Sequence, residues 1–150
     1  MRSDGSNNWA ARIRGINIHI LEAGNERELD MVLPSLDQLR ADALVFCADL
    51  LFVRRSDQLA AVALRHALPA ISQFREFPAA GGLMSYGSSL TDPYRLLGLY
   101  AGRILKGERP ADLPVQQATK VELILNLKAA NALGVTVPLP LLGRADEVIE

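Results

Sequence analysis

The feature that most constrains the fold is an alternation of short apolar runs with longer segments of helical periodicity. Each apolar run has the length of a β-strand, and glycine, proline or polar residues bound most of them. The predicted strands are 16–21, 42–47, 68–72, 83–86 and 121–125. Helical patterns lie between them, over 26–41, 55–66, 92–106 and 127–133. Strands that alternate with helices predict an α/β fold, a parallel sheet flanked by helices.

Several details sharpen this prediction. Ile16, Ile18 and Ile20 alternate, as expected of a strand with one buried face. The run 42–47 is almost continuously apolar, which predicts a strand buried on both faces with Cys47 in the core. Pro34 falls inside the helical pattern 26–41 and predicts a kink there. A further short helix is predicted over 6–14.

Composition excludes several classes of protein. The chain has 150 residues, 49% of them hydrophobic, which is enough for one domain with a real core. The net charge of −1, without a basic cluster, argues against a nucleic-acid partner. A single cysteine cannot form an internal disulfide, and no apolar run after the N-terminus resembles a signal peptide. As written, the chain is expected to be cytoplasmic.

No catalytic constellation stands out. The sequence has no glycine-rich phosphate loop, no paired histidine motif and no nucleophile elbow. His19 and His66 are far apart, and both are interpreted as structural residues. The sequence therefore predicts a protein that is not an enzyme and has neither catalytic residues nor a metal or other cofactor.

Candidate binding residues follow two of the predicted strands. Ligands of open parallel sheets bind at the carboxyl ends of strands. Asp49 could hold an ammonium group and Phe52 could offer a stacking surface, although Asp49 could equally cap a helix. Phe74 and Glu76 follow the next strand in the segment Phe-Arg-Glu-Phe, where Arg75 and Glu76 could form an ion pair. The alternative for this segment is a surface turn whose rings pack on the core.

A third group of candidate binding residues lies at the end of the predicted strand 83–86. Ser85 offers a hydroxyl, Tyr86 a hydroxyl and a ring face, and Gly87 a close backbone approach. The alternative is a strand end followed by a turn. Asp146 and Glu147, near the C-terminus, are interpreted as surface charge.

Six segments of the chain together resemble one known family, the ABC-transporter substrate-binding proteins of the tryptophan or aromatic amino-acid type. Each segment is weak by itself, but their combination and order are specific. They are RADALVF at 40–46, LPAI at 68–71, FREF at 74–77, GGLMSYG at 81–87, RILKGERPADLPVQQATKVELILNLKAANALG at 103–134 and LLGRADEVIE at 141–150.

The resemblance implies a type I periplasmic-binding fold, in which two α/β lobes hold a small ligand, often an amino acid, in the cleft between them. Such proteins deliver the ligand to an ABC permease and perform no chemistry. This chain corresponds to the second lobe alone, a single α/β domain over 1–150, so a truncated solute-binding component is expected. Full-length members are periplasmic.

The resemblance also assigns places to the candidate residues. Asp49, Phe52, Phe74 and Glu76 would line the cleft wall, while Ser85 and Tyr86 would lie near the hinge. The helix within 88–107 would pack on the absent first lobe.

That helix suggests an alternative function. The apolar stripe of helix 92–106 would be exposed to water in an isolated lobe. Each large side chain left exposed forgoes about 1.5–3 kcal/mol of burial free energy. We therefore expect the stripe to fold back on its own domain or to form a homodimer interface. The alternative is accordingly a cytoplasmic homodimeric interaction or regulatory module derived from the lobe.

Overall fold

A computed structural model describes residues 15–116 and 120–150 of the chain. The chain divides into two compact units, Met1–Ala41 and Asp42–Glu150. The helix predicted over 6–14 lies outside the described residues.

The first unit contains a helix that bends at proline. Helix α1, Glu26–Val32, begins at Asn25, whose Oδ1 accepts a hydrogen bond from the backbone N–H of Glu28 at 3.0 Å. A 3₁₀ turn over Leu33–Ser35 contains the proline, and α2, Leu36–Leu39, resumes the helical path. The predicted kink is confirmed, because proline cannot donate the hydrogen bond that a continuous α-helix requires.

The strand predicted over 16–21 is wrong for the described residues. The backbone there is not part of any strand, and Ile16, Ile18 and Ile20 are exposed, Ile16 to 58%. An extended segment becomes a strand only when a neighbour completes its hydrogen-bond ladder. The described part of the first unit contains no such neighbour. The alternation of apolar residues was therefore not sufficient to produce a strand.

The second unit is built on a five-stranded sheet. Its strands are β1 Leu44–Phe46, β2 Ala70–Ser72, β3 Met84–Gly87, β4 Glu122–Asn126 and β5 Glu147–Ile149. The helices are α3 Leu50–Arg54, α4 Ser56–Arg65, α5 Glu76–Ala79, α6 Thr91–Leu105, α7 Leu127–Ala132 and α8 Leu139–Leu142. This mixed α/β architecture confirms the predicted fold class.

Neighbouring strands in the sheet follow their order in the chain, from β1 to β5. All neighbours pair in parallel except β3 and β4, which are antiparallel. Gly87, where β3 ends, lies opposite Glu122, where β4 begins. The connection 88–121, which includes α6, therefore leaves the sheet at the end of β3 and returns beside it at the start of β4. This return reverses the chain direction and makes the sheet mostly rather than wholly parallel.

Strand β1 forms one edge of the sheet and is not buried on both faces as predicted. Val45 is 75% exposed, and Cys47, which follows the strand, is exposed as well. A continuous apolar run predicts a buried strand only when neighbours and helices cover it. Sequence pattern does not reveal which strand lies at an edge, so the predictions of a doubly buried β1 and a core Cys47 are wrong.

The core of the second unit lies between the sheet and the short helices α4 and α5, which pack against each other. Leu59, Ala60, Val62 and Ala63 form the buried face of α4. The ring of Phe77 in α5 occupies the space where a Cβ on Gly82 would stand, 2.2 Å from its Cε1 atom. Glycine at 82 is therefore required for this packing.

Helix α6 has 15 residues, and none of them is buried. Leu97 is 62% exposed and Leu105 is 87% exposed, so the predicted apolar stripe does not fold back on the second unit. Among the described residues, no helix is both long enough and apolar enough to cross a membrane.

Candidate ligand-binding edge of the sheet

The candidate residues lie around one edge of the sheet. Strands β1, β2 and β3 are parallel, so their carboxyl ends meet at this edge, and β4 begins there. We call this rim of strand ends the carboxyl edge; it is distinct from the lateral edges of the sheet, which are the strands β1 and β5. Asp49 follows β1, Phe74 and Glu76 follow β2, and Gly87 ends β3. In open α/β sheets, ligands bind in the crevice outside such strand ends.

Asp49 is the N-cap residue of α3. Its Oδ1 atom accepts a hydrogen bond from the backbone N–H of Leu51 at 2.7 Å, while its backbone is extended. The capping role that the sequence left open is therefore present. A carboxylate in this role stabilises the first turn of a helix and has less capacity left for a ligand.

Phe52 belongs to a chain of aromatic contacts. Its ring centroid is 6.0 Å from that of Phe46, which is in turn 5.3 Å from the ring of Phe77 in an edge-to-face arrangement. Phe77 is fully buried, whereas Phe46 and Phe52 are half-buried. Sequence reasoning identified Phe52 but missed Phe46, which ends β1 and could have been recognised as the last apolar side chain before the edge.

The arginine of the segment after β2 pairs with a distant acid and not with its neighbour Glu76. Arg75 instead donates two hydrogen bonds to Glu147, to Oε1 at 3.1 Å and to Oε2 at 2.8 Å. Phe74 is half-buried, and its backbone N–H donates to the hydroxyl of Ser72 at 3.4 Å. Glu76 is half-buried, and its Oε2 atom is buried without a hydrogen-bond partner among the described residues.

Ser85 and Tyr86 lie on opposite faces of the sheet, because successive residues of a strand alternate. Ser85 is buried and pairs in register with Ser72 and Ile124, on the face that carries Phe46. Tyr86 is exposed on the other face beside Leu123. The structure therefore separates two residues that the sequence grouped together.

Gly87 makes a close backbone approach, but to the chain itself. A Cβ at this position would lie 2.3 Å from the backbone carbonyl oxygen of Gln73. The end of β3 and the loop after β2 are thus packed directly on each other. Gln73 was missed by sequence reasoning, which had no means of detecting a contact between strand ends.

Asp146 and Glu147 are exposed, as interpreted from the sequence, and each also has a partner within the chain. Oδ2 of Asp146 accepts a hydrogen bond from the backbone N–H of Leu123 at 2.8 Å, and Glu147 begins β5 and pairs with Arg75. Both residues attach the C-terminal strand to the rest of the sheet. Among residues 15–116 and 120–150, no group of three or more histidine, cysteine or acidic residues could hold a metal ion.

Solved structures with this fold come from several bacteria. A conserved domain protein from Vibrio cholerae matches with a TM-score of 0.81 and 22% identity, over 93% of this chain and 47% of its own. An ABC domain in complex with L-Trp from Streptococcus pneumonia matches with a TM-score of 0.79 and 23% identity, over 93% of this chain and 48% of its own. A ligand-free, open substrate-binding protein with adhesive properties from Clostridium difficile has a TM-score of 0.62 and 22% identity, over 93% of this chain and 46% of its own.

These identities are low, so the structural matches show the fold, and this chain spans about half the length of each matched structure. No curated protein matches the sequence significantly. A family model described as ABC transporter substrate binding protein matches residues 8–149, nearly the whole chain. With its mostly parallel sheet and the match along its length, this chain belongs to the ABC transporter substrate-binding protein family.

Proposed function

We propose that this chain is a solute-binding component of an ABC-type uptake system, which binds a small, amino-acid-like molecule without changing it chemically. The family match over residues 8–149 carries this proposal. The structural neighbour in complex with L-Trp makes an amino acid the first ligand to test. Delivery of the bound molecule to an ABC permease follows from the same family role, and so does a periplasmic site of action.

Within this function the carboxyl edge supplies one wall of the ligand site. Phe52, Phe74 and Glu76 contribute side chains to this wall, after the ends of β1 and β2. Asp49 caps α3, so its role is to fix the helical turn that carries Phe52. A wall of apolar and aromatic groups with a few polar ones is typical of small-molecule sites.

Tyr86 has a different role in this proposal. It lies next to Gly87, the last residue of β3 before the connection 88–121 leaves the sheet. We assign Ser85 and Tyr86 to the hinge region, where the chain crosses to a second lobe that carries the opposite wall. The exposed side chains of α6 would then pack on that lobe.

A thermal-shift panel tests the function. The chain is heated with each aromatic and branched-chain amino acid at millimolar concentration, and a ligand that binds only the folded state raises the midpoint. We expect a rise of a few degrees for at least one of these amino acids. The absence of any rise across the panel, with a cooperative unfolding transition, would count against ligand binding by this chain.

The second candidate is a cytoplasmic homodimeric interaction or regulatory module. The exposed apolar stripe of α6, defined as Tyr94, Leu97, Ala101, Ile104 and Leu105, favours it, since such a stripe is usually covered. A stable dimer by light scattering, together with no response to the amino-acid panel, would favour this candidate over the first.

A further inference from the structure

One face of the sheet in the second unit is incompletely covered by the described residues over β1, β2 and β3. Val45, Ile71 and Met84 are in register across these strands, so their side chains form one row on the same face. Val45 is 75% exposed, whereas Ile71 and Met84 are half-buried. Tyr86, two residues beyond Met84, lies on this face and is 60% exposed. We call the surface formed by these four residues the Tyr86 face.

The same unit carries a second uncovered apolar surface, the stripe of α6. Tyr94 in this stripe is 61% exposed, and Leu105 is 87% exposed. A helix of 15 residues is about 22 Å long, which is enough to cross three strands that lie about 4.8 Å apart. Helices that pack on a sheet are the usual layers of an α/β protein. The two surfaces therefore have complementary architecture, a helix without a sheet and a sheet face without a helix.

A second copy of the chain supplies a partner for both surfaces at once. Within one copy α6 does not cover the Tyr86 face, since both surfaces are exposed there. A twofold axis makes the contact between α6 and this face twice, once in each direction. Together the two surfaces expose on the order of 800 Å² in each copy, which is the area that one partner of a specific dimer buries.

The position of α6 relates this contact to the candidate ligand site. Only residues 88–90 separate Gly87, at the carboxyl edge, from the first residue of α6, Thr91. A copy that is bound through α6 is therefore tethered next to the carboxyl edge. The carboxyl edge of that copy then becomes available as the opposite wall of a crevice.

We propose that two copies of this chain exchange α6, each packing the stripe on the Tyr86 face of the other, and that the ligand binds between the two copies. This inference rests on the proposed function and deepens it, because it identifies the second lobe as another copy of the chain. It also names the surface that α6 contacts, which is a sheet face and not a second α6.

Sedimentation velocity of charge variants tests the contact. Val45→Glu alters the sheet face, Leu97→Glu alters the stripe, and Leu139→Glu is the matched control. Leu139 is 80% exposed but lies in α8, outside both surfaces. We expect the unaltered chain to form a dimer, and the first two variants to raise its dissociation constant at least about tenfold, because each substitution acts twice in a symmetric contact. Leu139→Glu should leave the dimer intact.

Cross-linking tests the contact without adding a charge. Cys47, the single cysteine of the chain, is exposed and follows Val45 by two residues. Leu97→Cys adds a thiol to the stripe, and Leu139→Cys adds one outside both surfaces. ¹⁵N-labelled and unlabelled chains are mixed and treated with a short bifunctional maleimide. We expect peptides that join position 47 of one copy to position 97 of the other, and none that join position 47 to position 139. A contact between two α6 helices would join the two positions 97 instead.

The thermal-shift panel links the contact to binding. Val45→Glu should lose the response to amino acids together with the dimer, whereas Leu139→Glu should keep both. A monomeric unaltered chain, a dimer that Leu97→Glu dissociates but Val45→Glu does not, or an undiminished ligand response in monomeric Val45→Glu would overturn this inference and leave the binding function intact. A dimer with the expected cross-links but no ligand response would overturn the proposed function and leave the contact between α6 and the Tyr86 face in place.

Discussion

The amide of Asn126 joins the end of β4 to the turn of α5, because its Nδ2 donates a hydrogen bond to the carbonyl oxygen of Pro78 at 2.9 Å. The same side chain caps α7, since its Oδ1 accepts from the N–H of Ala129 at 2.9 Å. Asn126 is buried, so both hydrogen bonds are shielded from water. One side chain thus links the consecutive elements β4 and α7 to α5, which lies 48 residues away in the sequence.

We expect Asn126→Ala to lower the free energy of unfolding by about 2–4 kcal/mol. The substitution leaves the Pro78 carbonyl without this donor and α7 without its side-chain cap, and each loss costs about 1–2 kcal/mol. Denaturant unfolding followed by circular dichroism measures the change. The control is Asn131→Ala, an exposed residue of α7, which should change the stability by less than about 0.5 kcal/mol. Equal effects of the two substitutions would contradict the role of Asn126.

Gly87→Ala should destabilise the protein, because the new Cβ would stand 2.3 Å from the carbonyl oxygen of Gln73. The loop after β2 must then move, at a cost of about 1–3 kcal/mol. If this loop lines the ligand site, as we propose, affinity should fall as well. Thermal unfolding and ligand titration of the same variant measure both effects.

Gly98→Ala provides the matched control for Gly87→Ala. A Cβ at position 98 meets no atom within 4 Å, and the residue lies inside α6. Alanine there should raise helix stability by about 0.5–1 kcal/mol. The same substitution is therefore expected to have opposite signs at the two sites. A loss of stability at position 98 equal to that at position 87 would count against the close-approach explanation.

Local chemistry explains which parts of the fold were predictable. Pro34 bends its helix wherever the helix packs, because the missing N–H is a property of the residue itself. The apolar period of α4 likewise identified its buried face, with Leu59 and Val62 in the core. Such properties are carried by neighbouring residues in the chain.

Properties that depend on distant partners were not predictable. The alternation of Ile16, Ile18 and Ile20 could not show that the described part of the first unit contains no strand to pair with them. The run that contains Val45 could not show that β1 lies at an edge of the sheet. Strand β5 was missed because a strand of three residues, Glu147–Ile149, is too short to show a period.

In the candidate site, too, features set by neighbouring residues were predictable and contacts with distant residues were not. The positions of Asp49 and Phe74 after strands followed from the pattern, because strand ends in a parallel sheet share an edge. Their partners did not follow, since Arg75 pairs with a residue 72 positions away. The separation of Ser85 from Tyr86 was available in principle from strand alternation.

The C-terminal end of α6 should respond to acid through Glu108. Nε of Arg103 donates to Oε2 of Glu108 at 2.6 Å, and this hydrogen bond lowers the pKa of the Glu108 carboxyl below its ordinary value. A lowered pKa means that the pair stabilises the folded state above the unfolded value of about 4.3 and loses this effect as the pH falls through the folded value.

A carbon-detected NMR titration of the Glu108 carboxyl measures this effect directly. We expect a midpoint below about 4.3 in the unaltered chain and a return to the ordinary value in Arg103→Gln. A midpoint that does not change in Arg103→Gln would show that the guanidinium is not the cause.

The exposed stripe of α6 should make the chain self-associate when no second lobe covers it. Leu97 is 62% exposed and lies at the centre of the stripe. Covering a leucine of this kind is favourable by about 1.5–3 kcal/mol, so a symmetric contact between two copies gains from several such side chains. Leu97→Glu places a charge in that contact and should shift the chain towards monomer. Arg95→Glu, a change on the polar side of the same helix, should leave the association intact. Sedimentation velocity over a range of concentrations distinguishes these cases, and a chain that stays monomeric at high concentration without any substitution would exclude a homodimer through α6.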